Sequence, residues 1–222
     1  MSFWSILGGL ASALVALFVA LIGWRWQLIG KRQTEVAEEA LLAFARAAEG
    51  LRLVRSPIAL TGELAALREE LKIPLDKRVP GEDFRTALWR LAKLRDSFAE
   101  LSKVQVLCKY HFGQPAFDAL GTLFKARHQV WVAGTMGASA REENWDATPD
   151  NRQLMVKWQN TIWQGAADPD EIEMMVSAAQ AQLETQLMPY LRADAALIPL
   201  FLRWQAGRNW LTDRLFRRTK AD

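Results

Sequence analysis

Residues 3–24 (FWSILGGLASALVALFVALIGW) form the longest apolar run in the chain, with no charged side chain to interrupt it. As a helix rising about 1.5 Å per residue, the run reaches about 33 Å, enough to cross a bilayer core of about 30 Å. It is apolar on every face, unlike a helix at the surface of a soluble core. Trp4 stands at one end and Trp24 and Trp26 at the other, where amphipathic indoles favour the headgroup layer. A cleaved signal peptide would need a basic start, a shorter core and small residues at the cut, whereas bulky Trp24, Arg25 and Trp26 follow here. The pattern predicts a transmembrane anchor over residues 1–30, spanning about 4–24. Arg25, Lys31 and Arg32 follow the span and no Lys or Arg precedes it, so the expected orientation places the C-terminal side in the cytoplasm.

Beyond the anchor the apolar positions keep helical spacing. Val36, Ala37, Ala40, Leu41, Phe44, Ala48, Leu51 and Val54 draw one stripe, ended by Pro57. A short helix is expected over 61–71, then a loop with two prolines and a glycine over 74–81. Phe84, Leu88, Leu91, Leu94, Phe98, Leu101, Val104 and Leu107 step by threes and fours, which predicts one long helix over 82–111. Gly113 is a stop and Pro115 suits a first turn, so a second helix over 115–142 should pack back as an antiparallel hairpin. Phe117, Leu120, Phe124, Val130 and Trp131 mark its apolar side, and Gly134 and Gly137 are expected to weaken its far end by about 1 kcal/mol each. After a polar break over 144–151, residues 154–163 read as a short helix or a folded loop.

The clearest helix start is Asp168-Pro169-Asp170-Glu171, with Asp168 as the cap, Pro169 at the first position and Glu171 closing a capping box. Ile172, Met175, Val176, Ala179, Leu183, Leu187 and Leu191 mark the buried side that follows. No segment alternates with a period of two, so the expected class is all-α: a transmembrane helix followed by an antiparallel helical bundle over 31–194.

Charge refines this picture. The chain is +3 overall, yet the membrane exit alone carries +3 and residues 203–222 carry +4, so the stretch between them is net acidic. The basic pI belongs to the two ends, which argues against a nucleic-acid-binding body and fits ends lying near anionic lipid. Over 195–222 the tail combines Trp204 and Trp210 with Arg214, Arg217 and Arg218, the composition of an amphipathic interfacial helix. The rival reading is a last helix packed on the bundle. A row of small residues in the span, Gly8, Ser12, Ala16 and Ala20, favours close helix approach and self-association.

Candidate chemistry is sparse. Cys108 is the single cysteine, so an intramolecular disulfide is excluded, and Cys108, His111 and His128 do not assemble a four-ligand metal site. Glu-x-x-His, the P-loop, the serine-hydrolase elbow and the dinucleotide-binding glycine pattern are all missing. No catalytic, cofactor-binding or metal-ligating residue is assigned, and no cofactor is expected. Trp145, Trp158 and Trp163 cluster in one irregular region, where they either pin the segment to the bundle or form a partner surface. Arg46, Arg52 and Arg55, with Glu49, read as solvated pairs on the first cytoplasmic helix, the alternative being an inward-facing Arg–carboxylate network.

The segment EVAEEALLAFARAAEGLRLVRSP after a single span, together with the Asp168-Pro169-Asp170-Glu171 helix ending at Met188-Pro189-Tyr190-Leu191, resembles uncharacterised bacterial proteins with one N-terminal span and a helical cytoplasmic domain. The likeness covers roughly residues 35–191 and implies a single-pass protein of the bacterial inner membrane, without implying an activity. The expected role is non-enzymatic: an interaction or scaffold component of a membrane-associated complex, touching membrane lipid and an unidentified protein partner or a second copy, and no nucleic acid. The alternative is a membrane-tethered enzyme or ligand sensor that uses the Trp-rich segment around 145–163.

Overall fold

The computed structural model describes residues 3–74, 77, 79–143, 145 and 149–191, with the side chains of 3–16, 19, 22 and 26 outside the description. Among the described residues the chain is all-α, with seven helices packed as a bundle: α1 (Phe3–Val54), α2 (Thr61–Glu70), α3 (Glu82–Lys93), α4 (Arg95–Phe112), α5 (Gln114–Glu142), α6 (Pro149–Ile162) and α7 (Glu171–Leu191). Two compact units divide the chain. One comprises Met1–Glu38 and Leu187–Asp222, the other Glu39–Gln186.

In the first unit, the middle of α1 and the last turn of α7 meet where Thr34 Oγ1 shares its hydrogen between the carbonyls of Gly30 and Tyr190, each at 3.1 Å. Val36, Ala37 and Leu187 are buried there. Leu17, Phe18, Leu21, Trp24 and Leu28 are all exposed on α1. Among the described residues no helix is long and apolar enough to cross a membrane. The side chains of 3–16, most of the expected span, lie outside that description. So does the segment from 192 onward, with Trp204, Trp210, Arg214, Arg217 and Arg218.

The second unit is organised around α5, which packs along α3, α4 and α6. The single residue Gly113, at φ 87°, separates α4 from α5 and sets an antiparallel pairing. Gln105 Nε2 donates to Phe117 O at 3.0 Å, and Phe98 meets Phe124 edge-on at 5.5 Å. The same register continues into α3, where Leu88 approaches Gly134 and Phe84 approaches Gly137. The helix expected over 82–111 is thus two helices in one bent rod. The bend is a tightened turn at Leu94, whose N–H donates to Leu91 O at 3.2 Å. The apolar spacing runs through the bend undisturbed, so the pattern carried no sign of it.

Gly134 and Gly137 of α5 acquire a meaning beyond helix propensity. A β-carbon on Gly134 would lie 2.9 Å from Leu88 Cδ2, and one on Gly137 would fall on the Phe84 ring. They are points of close helix approach, not weak spots. The buried face of α5 is correspondingly rich in small residues, Ala116, Ala119, Ala126 and Ala133 among them. Trp131, expected beside the core, is 50% exposed. The helix α6 begins at Pro149, earlier than the 154 that apolar spacing suggested, because its first turn is polar.

The α1–α2 corner is held by one side chain. Arg90 donates to the carbonyls of Leu53 (3.2 Å), Ser56 (2.8 Å) and Ile58 (2.7 Å), and pairs with Glu63 at 2.6 Å. It gathers main-chain carbonyls from the end of α1 and the turn that follows it onto one guanidinium. Glu63 in turn accepts from the N–H of Leu60 at 3.0 Å, opening α2.

Candidate functional site

Two features of the second unit stand out, a buried ionic clasp and an open groove. The clasp is centred on Arg55, 1% exposed just past the end of α1. Its Nη2 donates to both carboxylate oxygens of Asp170 at 2.9 Å and to Trp163 O at 3.3 Å, while Nε donates to Thr161 O at 2.9 Å. The Arg55 carbonyl accepts from Gln164 N at 2.8 Å. One guanidinium thereby ties the end of α1 to the end of α6 and the start of α7, the rigid planar geometry at which arginine excels over lysine.

Asp170, not Asp168, caps α7. Its carboxylate accepts from the N–H groups of Ile172 and Glu173, each at 3.1 Å, and its own carbonyl accepts from Met174 N at 2.9 Å. The Asp168–Pro169 peptide bond is cis and precedes the helix. Burial would raise the Asp170 carboxyl, but hydrogen bonds from Arg55 and from the N–H groups of Glu173 and Gly165 outweigh it and hold the group below its ordinary value. Beside it, Arg52 Nη2 pairs with Glu173 at 2.7 Å, and the Arg52 hydrogen bond holds that carboxyl low as well. Of the three arginines read as solvated, Arg46 does pair at the surface, with Glu100 at 3.2 Å. Arg52 keeps the expected pair with Glu49, at 3.6 Å, and adds Glu173 on α7, while Arg55 is the one of the three that turns inward. Sequence reasoning favoured Asp168 because Pro169 suits a first turn. The overlapping Asp170…Glu173 spacing carried the same capping signal two residues further along the chain.

The groove lies between α5, α6 and the start of α7, with a volume of about 850 Å³. Val132 lines it from α5, Arg152, Val156, Lys157 and Trp158 from α6, and Ile172 from α7. The Trp-rich cluster is only partly assembled here. Trp145 stacks on Trp158 with ring centroids 6.3 Å apart and 11° between planes, and Trp158 reaches the groove. Trp163 does not line the groove and contributes its carbonyl to the clasp. Of the tryptophans assigned to the membrane boundary, Trp24 is 62% exposed, and the side chains of Trp4 and Trp26 lie outside the described residues.

Cys108 is fully buried, and burial pushes its thiol up to about 12, so it stays protonated and inert as a nucleophile. His128 stacks on exposed Trp131 at 5.8 Å between ring centroids. Among the described residues no three His, Cys, Asp or Glu side chains come together in a way that could hold a metal ion. No family of known proteins, no curated protein and no solved structure matches the chain.

Proposed function

We propose that this chain is a single-pass protein of the bacterial inner membrane that holds a cytoplasmic helical bundle as an interaction or scaffold component of a membrane-associated complex, without enzymatic activity of its own. The anchor reading rests on the uncharged run over 3–24 within α1 and on the Arg25, Lys31 and Arg32 flank. Exposed Leu17, Phe18, Leu21 and Trp24 support it, since large apolar side chains grouped on one helix are at home against lipid.

One observation carries the interaction reading. Trp131, Val132 and Met136 on α5, with Leu154 and Val156 on α6, leave two neighbouring helices with exposed apolar side chains. Exposed apolar side chains brought together on neighbouring helices are a feature of interaction surfaces. The alternative, a membrane-tethered enzyme or ligand sensor using the Trp-rich segment around 145–163, draws on the same groove, which Arg152, Trp158 and Thr161 of that segment line and Trp163 does not.

Purification of the full chain in a mild uncharged detergent tests this function. A defined second protein, or a second copy, should co-elute in fixed proportion and survive a salt wash. Elution of the chain alone as a monomer at every salt concentration would contradict it.

A further inference from the structure

The arginines of the second unit are mostly committed. Arg46, Arg52, Arg55, Arg68, Arg85 and Arg90 each pair with a carboxylate. Arg152 and Lys157, like Arg95 and Arg127, have no ion-pair partner among the described residues, and they are set apart by lining the groove, both exposed. The groove's carboxylates do not balance them. Asp170 is engaged by Arg55, which leaves Glu171 alone at the far wall, on the first turn of α7. Between the two cations Val156 stands exposed, with Val132 opposite on α5. Trp158 adds an aromatic wall backed by Trp145. The side-chain amides of Gln129 and Gln153 line the same groove and make no hydrogen bond among the described residues.

From this juxtaposition we infer that the groove between α5 and α6 binds an acidic segment of a partner protein, one carrying a bulky apolar anchor flanked by carboxylates. The anchor seats against Val132, Val156 and Trp158. The carboxylates meet Arg152 and Lys157, and the free amides of Gln129 and Gln153 take main-chain groups of the bound segment. A volume of about 850 Å³ accommodates a few side chains, which suits a short linear segment better than a folded domain. Charge complementarity of this kind selects the partner and speeds encounter, while the apolar anchor supplies retention. The inference rests on the interaction reading above and gives it a location and a ligand chemistry.

The test uses the full chain in uncharged detergent and a fluorescein-labelled synthetic peptide in which glutamates flank leucine and phenylalanine, beside its lysine-for-glutamate counterpart. The acidic peptide should bind at least about tenfold more tightly than the basic one and weaken as salt rises. Arg152→Glu/Lys157→Glu should reverse the preference. Arg152→Gln/Lys157→Gln should abolish it while the far-UV circular dichroism stays that of the parent. Equal affinity for the two peptides, no binding at low salt, or unchanged preference in the reversed variant would each overturn the inference. Co-purification separates its failure from that of the interaction reading. A partner retained equally by parent and reversed variant leaves that reading standing and moves the contact elsewhere, whereas a chain that elutes alone in both forms removes the reading as well.

Discussion

Asp170→Asn is expected to lower the unfolding free energy of the bundle by about 3–5 kcal/mol, the loss that follows when one partner of a buried pair is removed. Asparagine still caps a helix well, so the α7 start survives, and the loss combines the charge with the hydrogen bond that Gly165 N gives to the second carboxylate oxygen. What remains is the Arg55 guanidinium at 1% exposure, surrounded by carbonyls and without its carboxylate. Arg55→Met should cost a similar amount, since it strands the carboxylate. The double variant should be less damaged than the two losses added together, because neither charge is then left uncompensated. Urea unfolding of the full chain in mild detergent, followed by circular dichroism, measures all three. Additive losses would show that the clasp is not a coupled pair.

The clasp also fixes the sign of the pH dependence. Asp170 and Glu173 are both held below their ordinary values in the fold. The unfolded chain therefore takes up protons first as the medium is acidified. Their contribution is fully present above the unfolded values near 4, and is lost as pH falls through the lowered folded values. Asp170→Asn should flatten this acid limb without altering stability's slope around pH 7.

The second large effect is expected at Gly137, where replacement by alanine should destabilise the bundle by about 1–3 kcal/mol. The sign is the informative part. Within an ordinary helix the same change would stabilise by about 0.5–1 kcal/mol through better helix propensity. Here the new methyl falls on the ring of Phe84 on α3, which is itself fully buried. Gly62 in α2 supplies the contrast: a β-carbon there meets nothing within 4 Å, so Gly62→Ala should be neutral or slightly stabilising. Thermal unfolding of the two variants side by side reads the difference, and stabilisation by Gly137→Ala would contradict the close α3–α5 approach.

These two sites show where the sequence was readable. Helical stripes such as Phe84, Leu91, Phe98, Leu101 and Val104 place their own core faces, because periodicity along one helix reports which side is buried. The bend at Leu94 left no trace, since one tightened turn does not shift that periodicity. Gly137 reads as a propensity defect until Phe84, more than fifty positions earlier, is known to lie against it. Arg55 sits among Arg46 and Arg52 with nothing in its neighbourhood to single it out, and its burial is decided by Asp170 on a helix far along the chain. The groove is hidden for the same reason. Arg152, Val156 and Trp158 are unremarkable on α6 alone and acquire meaning only when α5 and the start of α7 supply the other walls.

The membrane reading stands on residues 3–24 and their basic flank, and everything proposed about partners presumes the bundle faces the cytoplasm. Fusion of a compartment-specific reporter after Asp222 tests that claim most directly. The account predicts activity of a cytoplasm-specific reporter in the membrane fraction, with the apolar run retained in the mature chain. Activity of a periplasm-specific reporter at the same position, or a mature N-terminus downstream of Trp24, would contradict it.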